Sequence, residues 1–132
     1  MRGTVTNVEG IYSYKDNLMI SHAVRTGNTI HISGQVALDP DGNVVGKGDV
    51  ETQAEYIWRN VEKVLEASGS GLEEIAKVFQ FVVGTENFAG MGAVRRRIFP
   101  QEPFPAFTSI IVSGLIDPDL LLEVDVIATV KY

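Results

Sequence analysis

The 132-residue sequence predicts an α+β fold, a mixed sheet with two helices packed on one face. Three observations predict it. Apolar residues switch between a period of two and a helical period in the order strands, helix, strand, helix, strands. The last such stretch carries an unbroken alternating apolar stripe. No repeat or low-complexity linker divides the chain, so residues 1–132 read as a single domain.

The elements follow in order. Thr29–Ser33 alternates, with Ile30 and Ile32 on one face and Thr29, His31 and Ser33 on the other. It runs through Gly34–Leu38 into Asp39-Pro-Asp-Gly42, a tight-turn sequence, and Asn43–Val45 is expected to return as the short second strand of a hairpin. Asp49 is a good N-cap for a helix in which Ala54, Ile57, Trp58, Val61, Val64 and Leu65 share a face. Glu55 and Arg59 are spaced for an ion pair along that helix, and Gly69 is its stop. Ser70-Gly-Leu-Glu73 has capping-box spacing and predicts one more short turn.

Lys77–Val83 reads as a strand with Phe79, Phe81 and Val83 on one side. Asn87 is placed to cap a second helix, in which Met91, Val94 and Ile98 align and which Pro100 ends. Gly90 and Gly92 weaken it by about 1 kcal/mol each relative to alanine, so they serve either close packing or room beside a ligand. Pro103 and Pro105 stiffen the approach to a strand near 106–113. A final strand near 121–131 puts Leu122, Val124, Val126, Ala128 and Val130 on one face, with Glu123, Asp125, Ile127 and Thr129 on the other. A carboxylate on such a strand either faces water or lines a site. Two helices cannot also cover Phe79, Phe81, Ile111 and Ile127, so the open sheet face is expected to meet a second copy of the chain.

Composition excludes several functions. Hydrophobic residues make up 45% and charged ones 21%, ordinary for a globular protein. Without cysteine there is no disulfide, thiolate zinc site or cysteine nucleophile, and the reading calls for no metal and no cofactor. The net charge of −6 argues against nucleic acid, whose binding rests on lysines and arginines neutralising phosphates. The basic run Arg95-Arg96-Arg97 points around a helix and reads as a solvated helix end. The N-terminus lacks the apolar segment of a signal peptide, and no run approaches the roughly 20 apolar residues of a membrane span, so a cytoplasmic protein with no membrane partner is expected.

Several segments together resemble the RidA/YjgF family of reactive-intermediate imine and enamine deaminases: Ala23–Gln35, the pattern Gln53, Asn60, Val61, Leu65 and Gly69, Val78–Val82, Pro105-Ala106, and Glu123-Val-Asp125. The resemblance spans roughly residues 18 to 130. It implies a chorismate-mutase-like fold assembled as a homotrimer, with a small-molecule cleft at each subunit interface. It also implies an arginine after Pro-Ala that clamps the substrate carboxylate, and a glutamate on the last strand, here Glu123, that positions the hydrolytic water.

This chain departs from the pattern. Phe107 stands at the arginine position, Ser109 at a cysteine, Ile20 at a tyrosine, Gly92 at an asparagine and His22 at a glutamine, while Glu123, Ser33 and Gly34 are retained. A phenyl ring offers apolar surface but cannot hold a carboxylate; it is equally an ordinary core or interface aromatic. His22 reads as structural or as part of the site, and Ser109 has no sequence-adjacent base that would make it a nucleophile. The reading is a divergent deaminase hydrolysing C=N to carbonyl plus ammonia, on a substrate with no clamped α-carboxylate. Glu123 holds the water, Ser33 and Gly34 take the polar end, and Ile20, Phe107 and Ile111 meet the apolar body, with His22, Gly92 and Ser109 nearby. The alternative is a non-catalytic ligand-binding or regulatory trimer of the same fold. Ribonuclease activity, sometimes assigned to the family, fits an acidic chain least.

Overall fold

The computed structural model describes residues 2–131. In chain order the elements are β1 (Arg2–Val5), α1 (Tyr14–Leu18), β2 (Ala23–Thr26), β3 (Thr29–Gln35), α2 (Val50–Ala67), a 3-10 turn (Leu72–Glu74), β4 (Ile75–Val83), a second 3-10 turn (Thr85–Asn87), α3 (Phe88–Ile98), β5 (Ala106–Val112) and β6 (Leu122–Thr129). The strands make one sheet in the order β1-β2-β3-β6-β4-β5. β4 and β5 run parallel, joined through α3 as crossover, and every other pair is antiparallel. This is the mixed-sheet α+β fold that the sequence predicts, with the short α1 as a third helix. No helix among the described residues is long and apolar enough to cross a membrane.

The core forms where the helical stripe meets the alternating one. Ala54, Ile57, Trp58, Val61, Val64 and Leu65 of α2 are at most 1% exposed and pack in one cluster with Ile30, Val78, Val82 and the Leu122–Val130 stripe. α3 adds Met91 and Val94. Gly90 is a packing glycine: a Cβ there would sit 2.7 Å from Val50 Cγ1 of α2. Asp49 caps α2 as expected, accepting from the N–H groups of Glu51 and Thr52, and Gly69 takes a positive φ just past its end.

The expected hairpin forms: Asn43–Val45 returns as a short antiparallel bridge, Leu38 to Val44, with the Asp39 N–H donating to the Asn43 carbonyl and the Val45 N–H to the Ala37 carbonyl, and the Asp39 side chain accepting from Asp41 N and Asn43 N to hold the turn. Three local expectations are corrected. The short turn expected after Ser70 forms at Leu72–Glu74, but Ser70 does not cap it: its buried hydroxyl donates to the Thr129 carbonyl at 2.6 Å and ties the loop to β6. Glu55 pairs with Arg97 of α3 at 2.5 Å in place of Arg59, since the two helices pack side by side. On the open sheet face it is Ile110, 42% exposed and in register with Phe81, that joins Phe79, Phe81 and Ile127; Ile111 pairs with Val82 on the helix side and is exposed there at the sheet edge.

Candidate functional site

Register decides which side chains can meet. On β6 the alternation that buries Leu122, Val124 and Val126 under the helices turns Glu123 and Asp125 to the open face. β3 runs beside β6, and its register slips between Ile32 and Gln35, a bulge centred on Ser33-Gly34. The bulge brings bare Gly34 against both acids. A Cβ at Gly34 would lie 2.7 Å from Glu123 Cδ and 2.8 Å from Asp125 Oδ1, so only glycine admits the carboxylates here.

Above this pair lies a cavity of about 440 Å³. Its polar residues include Ser33, Gly34, Asp117 and Glu123; Leu18, Ile20, Val36, Leu38 and Ile116 make apolar walls, and Tyr12 and Tyr14 close one side. Tyr14 is buried, and its hydroxyl donates to the Gly34 carbonyl at 2.5 Å. Burial, then the negative charge of Glu123, holds that phenol far above its ordinary pKa, so Tyr14 stays protonated. Burial also raises the Glu123 pKa, with Asp125 adding to it, and burial raises that of Asp125. No lysine or arginine lines the cavity. The floor is therefore a proton-accepting carboxylate, less solvated than a surface acid, in a hollow that favours an apolar guest.

The predicted residues fall into two groups. Ile20, Ser33, Gly34 and Glu123 line this cavity. Ser33 is committed to its neighbours: its N–H donates to the His22 carbonyl at 2.9 Å and its hydroxyl to the Ser21 carbonyl at 2.7 Å. His22 is fully buried behind Tyr14, their ring centroids 4.7 Å apart, and its Nε2 meets the Tyr12 carbonyl at 3.1 Å. A carbonyl only accepts, so Nε2 carries the proton; burial lowers the ring's pKa, and the histidine sits neutral as a buttress.

Phe107, Ser109 and Gly92 are elsewhere. Phe107 and Ser109 pair with Val78 and Gln80, on the helix-covered side of β5. Ser109 donates to Gln80 Oε1 at 3.1 Å, and the Phe107 ring meets Phe99 edge-on at 5.7 Å. Gly92, on α3, borders the same groove: the guanidinium atoms of Arg96 and Arg95 come within 3.6 and 3.9 Å of where its Cβ would be. Within one chain, then, Phe107 and Glu123 occupy opposite faces of the sheet. Sequence reasoning missed Tyr12 and Tyr14. The signal for them was Ser13-Tyr-Lys-Asp16, a helix-opening sequence in which Ser13 accepts from Asp16 N and so aims Tyr14 at Gly34.

Known proteins are similar to this chain in sequence and in fold. A family model described as Endoribonuclease L-PSP matches residues 17–130. A RutC family protein of Sulfurisphaera tokodaii is 33% identical over 109 residues, covering 83% of this chain and 86% of that one. A protein of Dermatophagoides farinae named 2-iminobutanoate/2-iminopropanoate deaminase is 33% identical over 95 residues, 72% of this chain and 73% of its own. The crystal structure of YyfA of Yersinia pestis, from the conserved Rid protein family, superposes with a TM-score of 0.89 at 26% identity, covering 98% of this chain and all of that one.

Proposed function

Since the chain belongs to the Endoribonuclease L-PSP family, the RidA/YjgF proteins, we propose that it is an imine or enamine deaminase acting on a substrate whose α-carboxylate is not clamped from position 107. The observation that carries this reading is the Glu123 carboxylate, its pKa raised by burial, on the floor of a 440 Å³ apolar-walled cavity.

The chemistry needs little more. Glu123 accepts a proton from water as the water oxygen bonds to the imine carbon, and the C=N π electrons pass to nitrogen. The nitrogen takes that proton to give the neutral carbinolamine; as C=O forms and the C–N bond breaks, Glu123 takes the hydroxyl proton and passes it to the departing nitrogen, which leaves as ammonia. A carboxylate of raised pKa is a stronger proton acceptor than a surface acid. Tyr14, held protonated, fixes the Gly34 peptide beside that carboxylate. The cleft is completed by another subunit of a homotrimer, whose α3–β5 side brings Phe107, Gly92 and Ser109 toward the Glu123 cavity. The opposite-face positions of the two groups within one chain support that assembly.

The test generates imines in situ from a panel of amines and amino acids and follows carbonyl and ammonia release. Wild-type protein is expected to accelerate hydrolysis of apolar imines, and Glu123→Gln to lower the rate by about a hundredfold or more. No acceleration by wild type, or a rate untouched in the variant, overturns the proposal.

A further inference from the structure

A second hollow, of about 280 Å³, lies between α3 and β5 and is lined by Arg95, Arg96, Phe99, Phe104 and Phe107. The three consecutive arginines are not alike. Arg97 is held by Glu55 and Glu51 of α2. Among the described residues, no carboxylate pairs with Arg95 or Arg96. Both line the aromatic groove; Arg95 is half-buried there and Arg96 exposed, so in a chain of net charge −6 the groove carries two cations without counter-charge, one of them partly withdrawn from water.

The groove holds Arg95 against its rings. Trp58, Phe99 and Phe107 meet edge to face at 5.3 and 5.7 Å, an aromatic series rooted in the core. The Arg95 guanidinium lies 5.4 Å from the centroid of the Phe107 ring, within reach of a cation–π attraction. Phe104, 58% exposed, leaves the outer wall apolar.

We propose that this groove binds an aryl carboxylate. The forks of Arg95 and Arg96 take the planar anion, and Phe104 and Phe107 take the ring. Arginine's planar donors match a carboxylate two bonds at a time, and 280 Å³ holds a single benzene-sized body. The proposal goes beyond the reading of the Glu123 cavity and is tested by binding alone, so neither outcome depends on turnover. If the groove joins that cavity across a subunit boundary, the substrate's acid group is received from a helix, beyond the Phe107 ring, and not from the strand.

The experiment titrates the intact protein with phenylacetate and with uncharged phenylacetamide at low ionic strength, by calorimetry and by ligand-observed NMR. Phenylacetate is expected to bind about tenfold or more tightly than the amide. Arg95→Gln and Arg96→Gln should each weaken phenylacetate by about tenfold and leave the amide unchanged, while Arg97→Gln has little effect on either. In the unaltered protein, ring protons of bound phenylacetate should show intermolecular NOEs to Phe104 and Phe107, which decides the matter even if a variant fails to fold. Equal binding of acid and amide, no binding, unchanged affinity in both glutamine variants, absent NOEs, or displacement by inorganic phosphate at equal concentration each overturns the proposal.

Discussion

Glu123 and Asp125 hold the proposed chemistry at a cost to stability that pH reveals. Both carboxyls have raised pKa values in the fold. The folded state therefore binds their protons more tightly than the unfolded chain does. Their favourable contribution is present below the ordinary carboxylate pKa and is lost as pH rises through the raised folded values. Glu123→Gln should accordingly melt at a higher temperature than wild type at pH 7, with the gap closing as the pH falls below about 4. His22 has the opposite sign, its lowered pKa costing stability as pH falls; the difference between variant and wild type removes its contribution. A second expectation concerns Gly34. Its alanine variant places a methyl group among both acids, so deaminase activity should fall at least as far as in Glu123→Gln, with about 1–3 kcal/mol of destabilisation by chemical unfolding. At this scale the acids were legible, because alternation gave the face of Glu123 and Asp125, while Gly34 came only from the family resemblance. The tyrosine was not: Ile20 occupies the expected position in sequence, while Tyr14 reaches the site through a turn whose outcome depends on tertiary packing.

Among the elements, the loops that bound the cavity are set by one buried amide. Gln53, fully buried on α2, donates through Nε2 to the Gly46 and Asp119 carbonyls and accepts from Leu121 N through Oε1. The segment leading into β6 is thereby tied to the N-terminal turn of α2. Gln53→Ala strands three backbone groups and is expected to cost about 3 kcal/mol in chemical unfolding. Asp117, two residues before Asp119, lines the cavity, so the KM for the imine substrate should rise as well. Met19 ends α1 with φ at 57°, a conformation that disfavours a side chain. Met19→Gly should stabilise the protein by roughly 1 kcal/mol, read as a higher melting temperature with activity retained. Elements with strong periodicity, α2 and β6, were legible almost to their ends. The two Ser-x-x-acid sequences were not separable by pattern: Ser13 caps a helix and Ser70 anchors a loop, and only the position of β6 distinguishes them.

For the whole molecule, the question is what covers the open sheet face. Phe79, Phe81, Ile110 and Ile127 share it, and the proposed homotrimer covers it with other copies. Light scattering coupled to size exclusion is expected to give a mass near three chains for wild type. Phe81→Asp combined with Ile110→Asp should give single chains, with a melting temperature no longer dependent on concentration. A wild-type mass of one chain defeats the assembly and with it the shared cleft. Fold class was legible from the order of strand-like and helical periods. The strand order was not, since local patterns carry no information about which strands pair. That order has a consequence for synthesis. β6 is the last strand to be made and lies in the middle of the sheet, between β3 and β4. Until residues 122–129 have left the ribosome, β1-β2-β3 and β4-β5 are two fragments with no common strand. Nascent chains are exposed as half-sheets until that moment, and the strand that joins them delivers Glu123 with it.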